Sequence, residues 1–260
     1  MTIKKDVLTD IHPRSLLDSS NTFVHEFDNK YDFVQFLDAH PMDKYAEDVR
    51  TFKKEIKELE MDPSMIEKVS NTVRNNLIKR GIITGTVYEG YKYDVDGDII
   101  DYAELATGNP RCMMKPLKKY DKYFYELYIN MSIPWSVDAS DIEEGAIRLI
   151  ETIKALEELN IEIKLNVVLF SRGMYTNGTN YLFIMHLANH LEFKDYRLIL
   201  PYINGNFLRG PLFNTMYKQG MGSVDDGLGQ ATKLKNSVNL WELDEVALAE
   251  RVLLDLDMKV

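Results

Sequence analysis

The chain has 260 residues, 45% of them hydrophobic, which is enough for one large domain or two small ones around a sizeable core. A formal net charge of −10 and a pI near 5.1 disfavour long contacts with a phosphate backbone, since duplex binding usually needs a basic face, so nucleic acid is not an expected partner. The longest apolar runs, "LNVVLF" and "YLFIM", fall far short of the ~20 residues of a membrane helix, which argues against a membrane protein.

The opening "MTIKKDVLTDIHPR" lacks the apolar run of a signal peptide, and the single cysteine, Cys112, cannot close an intramolecular disulfide. A reducing, cytoplasmic compartment is expected, in which the sequons at Asn130 and Asn177 carry no glycan. The first 81 residues read as a helical N-terminal region. "DNKYDFVQFLDAHP" predicts a short helix with Tyr31, Val34 and Leu37 on one side, ending before Pro41. "DKYAEDVRTFKKEIKELEMD" places Tyr45, Val49, Phe52, Ile56 and Leu59 in one apolar stripe. "DPSMIEKVSNTVRNNLIKRG" gives a further helix, opened by Asp62 and Pro63 and closed by Gly81.

From residue 82 a strand-like mixture leads through an Asp-Gly turn to a short helix. "DVDGDIID" is not an EF-hand loop, because Gly97 stands fourth from Asp94 and no bidentate ligand follows at the twelfth position. "KYFYELYINMS" reads as a strand, with Tyr123, Tyr125, Leu127 and Ile129 alternating against Phe124, Glu126, Tyr128 and Asn130. The helix "SDIEEGAIRLIETIKALEELN" follows, with Ser140 as cap and Glu143 completing a capping box. "IEIKLNVVLFS" is the next strand, parallel to the first through a right-handed crossover. "YLFIMHLA" is expected antiparallel at the edge of the sheet. Two helical segments broken around Asn204 and Gly205, a Gly-rich loop "GMGSVDDGLGQ", a strand "SVNLWEL" and a helix "DEVALAERVLLDLD" complete the chain.

This order of elements, carried by "GDIIDYAELATGNPRCM", by "YINMS" leading into "EEGAIRLIETIKALEELNIEIKLNVV", and by "LEFKDYRLILPYINGNFLRGPLF", resembles a von Willebrand factor A-like domain and is similar to a family of phage-encoded proteins with that core. The resemblance implies an α/β fold with a mostly parallel sheet flanked by helices over residues 82–260, following the helical region 1–81. If phage-encoded, the chain works in the host cytoplasm. Cation-binding A-like domains carry Asp-x-Ser-x-Ser after the first strand, whose oxygens suit Mg²⁺. The matching positions are Asn130, Ser132 and Pro134, so the charged ligand is gone; Ser136 could substitute only in a rearranged loop, and Thr179 and Asp195 supply no clear further ligand. No metal and no cofactor is expected. The loop residues Asn130, Ser132, Trp135 and Ser136 are instead expected to bind a partner.

Other constellations favour bland readings. His186 and His190 have the spacing of a helical zinc pair, yet His186 falls on a strand, where that spacing has no such meaning. "GMGSVDDGLGQATK" matches no phosphate loop, and Asp225 and Asp226 in it are adjacent carboxylates of a surface loop. Tyr120, Tyr123, Tyr125, Tyr128 and Trp135 form an aromatic segment with one face for the core. Two functions remain open. One is a non-enzymatic protein-interaction module whose partner is a phage or host protein, an AAA+ ATPase among the candidates, with homo-oligomers also allowed. The other is a metal-dependent hydrolase or nucleotide-acting enzyme using Asp94, Asp96, Asp98 and Asp101 with Asp225 and Asp226.

Overall fold

The computed structural model describes residues 13–17, 22–41, 45–58, 63–83, 91–95, 99–100, 102–116, 123–133, 136–171, 180–188, 198–218 and 234–258. A 3₁₀ turn, Pro13–Leu16, comes first. Strand β1, Thr22–Phe27, precedes helices α1, Lys30–Ala39, α2, Ala46–Glu58, and α3, Pro63–Arg80. The region before residue 82 is therefore not wholly helical. Its strand was not expected, because "TFVHEF" is short and its partner lies more than 150 residues away in sequence.

The helices form largely for the reasons the sequence gives. Asn29 caps α1, its Oδ1 accepting from the N–H groups of Tyr31 and Asp32 at 2.9 and 3.0 Å. The buried stripe of α1 is Phe33 and Leu37, with Val34 and Phe36 half-buried, while Tyr31 in the first turn is 66% exposed; the expected place for Tyr31 is corrected. Tyr45 and Phe52 are buried and Val49 and Ile56 half-buried, as the stripe of α2 predicts, while Leu59 and Asp62 lie outside the described residues. Gly81 ends α3 at φ 79°, with Gly81 N–H donating to Ile78 O at 2.9 Å and Ile82 N–H to Leu77 O at 3.0 Å.

Strands β2, Tyr91–Asp94, β3, Ile99–Ile100, and β4, Met113–Pro116, make a small antiparallel sheet in the order β2-β4-β3, with helix α4, Tyr102–Ala106, between β3 and β4. The main sheet uses β5, Tyr123–Asn130, β6, Ile161–Ser171, β7, Asn180–Ala188, and β8, Ser237–Val238, in the order β1-β7-β6-β5-β8. Only the β6–β7 pairing is antiparallel. β7 thus has the expected direction but not the expected edge position, since β1 pairs along its outer side from Thr22 with Asn180 to Phe27 with Met185. β8 is shorter than expected, because Leu240–Glu242 closes into a 3₁₀ turn.

Helix α5, Ala139–Glu158, crosses from β5 to β6. It starts before the expected cap: Asp138 is the N-cap, so Ser140 lies inside the first turn and the capping box with Glu143 is not formed. After β7 come a 3₁₀ turn, Leu200–Ile203, then α6, Gly205–Phe207, a π segment, Leu208–Leu212, and α7, Phe213–Lys218. Asn204 makes the break, its Oδ1 accepting from Phe207 N–H at 2.8 Å. Helix α8, Glu245–Asp255, is last.

Strand alternation divides the main sheet into two faces. Tyr125, Leu127 and Ile129 of β5, the odd residues Ile161 to Leu169 of β6, and Tyr181, Phe183 and Met185 of β7 share one core with Phe33, Leu37, Phe52, Leu77, Ile153, Phe207 and Val252. All described helices that join this core lie on that face. On the second face Tyr128, Val168, Phe170, Leu182, Ile184 and Leu234 form a separate cluster, against which Leu17 and Val24 pack.

Candidate functional site

Asn130 ends β5 opposite Val168 of β6 and is fully buried. Its Nδ2 donates to Asn239 Oδ1 at 3.0 Å, just past β8, and its Oδ1 accepts from Ser132 N–H at 3.0 Å. Ser132, 1% exposed, donates from Oγ to Phe170 O at 3.1 Å and accepts from Phe170 N–H at 3.2 Å. The chain leaving β5 is stitched in this way to the ends of both neighbouring strands, which is how buried polar groups are kept inside a sheet. Of the four residues expected to contact a partner, Asn130 and Ser132 are joined to each other and turned inward, Ser136 is exposed, and Trp135 lies outside the described residues.

Among the described residues no group of three or more His, Cys, Asp or Glu is placed to hold a metal ion. Asp96, Asp98, Asp101, Thr179, His190, Asp195, Asp225 and Asp226 lie outside the described residues, and so does the side chain of Asp94. Cys112 is buried. A cavity of about 470 Å³ flanks β8 and α8, with Asn239, Asp244, Arg251 and Asp255 in its wall. Arg251 Nη1 there donates to Ser237 O at 3.2 Å and Tyr125 OH to Asp255 at 2.8 Å.

A second constellation was not expected. On the second face, even-numbered strand positions bring Glu26 of β1, His186 of β7, Asn166 and Lys164 of β6, and Glu126 and Tyr128 of β5 into one polar chain. His186 Nε2 stands 2.9 Å from Glu26 Oε1, and its Nδ1 stands 2.5 Å from Asn166 Oδ1. Asn166 Nδ2 donates to Glu126 Oε1 at 3.2 Å, which leaves the amide oxygen facing the His186 ring. The N-terminal turn completes the chain: Arg14 Nη2 donates to Glu126 Oε1 at 2.8 Å and Nε to Oε2 at 3.0 Å, a bidentate fork, and Nε also reaches Tyr128 OH at 3.2 Å. Lys164 Nζ stands 3.3 Å from Glu126 Oε1.

Burial by itself raises the Glu126 pKa, but the hydrogen bonds and charge of Arg14, helped by Lys164, outweigh it and bring the carboxyl down from 4.5 to about 2. Burial pushes the Tyr128 hydroxyl up to about 12. The Glu126 hydrogen bond, followed by that of Tyr128, holds Arg14 above its ordinary value. At neutral pH both partners are therefore fixed in their charged forms. The arrangement holds the Arg14 guanidinium in a bidentate ion pair. A sequence signal existed in the charged and amide residues Glu126, Lys164 and Asn166 at alternate positions of strong strands, but pairing them needs the register of three strands.

No curated protein and no solved structure matches the chain. The family model "Domain of unknown function (DUF7192)" matches residues 12–252, a span that includes the N-terminal turn, all five strands of the main sheet and both ends of the Arg14–Glu126 fork. The chain belongs to the DUF7192 family.

Proposed function

We propose that the chain is a protein–protein interaction module built on a metal-free von Willebrand factor A-like core, in an accessory, regulatory or host-takeover role of a phage. The strand order β7-β6-β5-β8, with β7 alone reversed among these four and α5 crossing between β5 and β6, supports an A-like core; the added β1 and the placement of all described core helices on one face are departures from it. The observation that carries the metal-free part is the Asn130–Asn239 amide pair. Two carboxylates at the ends of β5 and β8 would repel each other unless a cation sat between them, whereas two amides satisfy each other directly. With Ser132 committed to Phe170, the loop presents Ser136 and the start of α5 outward, where Asp138, Ala139 and Ser140 are also exposed. The partner contact is placed on this loop face, with Trp135 as its aromatic anchor. A phage or host protein is the partner, and an AAA+ ATPase is a candidate by analogy with intracellular A-like domains.

The test is affinity capture by the tagged full chain from infected cells, in Mg²⁺ and in EDTA, alongside Trp135→Ala and Ser136→Arg variants. The expected result is a stoichiometric partner retained in EDTA and lost with either variant while the thermal midpoint is unchanged. Capture that depends on Mg²⁺, or that both variants leave intact, would overturn this placement.

A further inference from the structure

On the second face of the sheet, among the described residues, the turn Pro13–Leu16 and Leu17 meet a charged and apolar cluster of strand residues. Glu126 and Tyr128 project from β5, between β6 and the edge strand β8, Asn166 and Lys164 pin the carboxylate in place, and Tyr128, Val168, Phe170, Leu182, Ile184 and Leu234 form an apolar floor, each 4% exposed or less. The occupant is a four-residue 3₁₀ turn, Pro13–Leu16, too short to hold its own conformation. Pro13 is buried, Arg14 forks onto Glu126, and Leu17, its N–H donating to Arg14 O at 3.2 Å, packs on the floor. The Arg14 side chain is 51% exposed, so its ion pair is open to screening by salt. Departure of the turn leaves Glu126 still paired with Lys164 and Asn166, so no buried charge is orphaned, while the apolar floor loses part of its cover. A pre-formed receptor whose internal ligand is a short turn held through a solvent-open ion pair favours exchange for an external segment of the same chemistry.

We propose that this face is a docking site for a partner segment carrying an arginine followed three residues later by leucine or another large apolar residue, and that residues 13–17 occupy it in cis until such a segment displaces them. This surface is separate from the loop face and does not depend on the function proposed for it.

The test uses the full chain and a fluorescent peptide of sequence HPRSLLDS, residues 12–19. By anisotropy, the Arg14→Ala/Leu17→Ala variant, freed of its internal competitor, is expected to bind the peptide at least tenfold more tightly than the natural chain. Adding Glu126→Gln, or replacing the peptide's arginine by alanine, is expected to abolish binding. Equal binding to the natural chain and the variant, or binding that survives Glu126→Gln, would overturn the proposal. Should the double variant be unfolded by circular dichroism, hydrogen exchange on the natural chain decides. Excess peptide is expected to speed exchange of residues 13–17 about tenfold with β5 unchanged, and no change would be fatal to the idea.

Discussion

Glu126 shows how a single charged side chain can belong inside a sheet. Its carboxylate sits among groups that donate to it from β6 and from the N-terminal turn, and the depressed pKa is the thermodynamic record of those contacts. A carboxyl whose folded pKa lies below its unfolded value contributes stability that is fully present above the unfolded value and is lost as pH falls through the folded one. For Glu126 that window runs from 4.5 down to about 2. A shift of that size discounted for the half-exposed Arg14 corresponds to on the order of 1–2 kcal/mol. Urea titrations of the natural chain and Glu126→Gln from pH 6 to pH 2 should show the natural chain losing that much more stability across the window. Parallel pH profiles would mean the fork contributes nothing. The sequence placed Glu126 on the same face as Tyr128 and Asn130 by alternation, yet could not show that Arg14, 112 residues earlier, reaches it. The sequence marks Asn130 as an amide where a metal-binding loop has a carboxylate and Ser132 as the ligand position that survives; that their polar atoms pair with Asn239 and Phe170 depends on strand ends that no local pattern reports.

At the level of elements, α5 was the most legible, because a 20-residue helix repeats its apolar period many times and ten of its residues are buried. Its start was misplaced because Ser140 and Glu143 fit a capping box, whereas the extended backbone at Asp138 lets the helix begin at Ala139. What the period could not reveal is why Gly145 stands inside the helix. A Cβ there would lie 2.0 Å from Leu240 O and 2.6 Å from Leu240 C, so α5 meets the 3₁₀ turn after β8 at a distance only glycine permits. Backbone cannot yield as a flexible side chain does. Gly145→Ala gains helix propensity of about 1 kcal/mol but must separate the two elements, for a net loss of about 3 kcal/mol or more. Differential scanning calorimetry should find the midpoint at least ~6 °C lower for a chain of this size; an unchanged or raised midpoint would show that the contact relaxes freely. β1 marks the opposite limit. Six residues with a mixed pattern leave little local signal, and its identity comes from pairing with β7, a strand that forms its own antiparallel partnership far along the chain.

Across the whole molecule, the sheet is asymmetric among the described residues: the helices that join the main core pack on one face, and a turn and a polar chain lie on the other. The order of elements and their classes were readable because periodicity and turn chemistry are local, whereas the attachment of the first 81 residues was not, because it rests on contacts between distant segments. Those contacts are extensive. β1 lies along β7, Phe27 and Phe33 meet Phe183 at ring-centroid separations of 5.7 and 5.6 Å, α3 packs on α5 and α8, and Arg74 and Arg80 pair with Glu158 and Glu250. Asn76 Nδ2 donates to Glu245 Oε1 at 2.7 Å, and Arg148 Nη1 to Glu245 Oε2 at 3.1 Å, so a carboxylate only 4% exposed depends on the N-terminal region for one of its bonds. A chain beginning at residue 82 would uncover the edge of β7, the aromatic faces of Phe183 and Phe207, and one side of Glu245. An apolar edge strand of nine residues is a template for association. Expressed alone, residues 82–260 should therefore elute as aggregates or show a non-cooperative melt, and co-expression with residues 1–81 should restore a single cooperative transition, measurable by size-exclusion chromatography and calorimetry. A monodisperse fragment 82–260 melting within a few degrees of the full chain would establish instead that the N-terminal region is a separable unit docked on a complete domain.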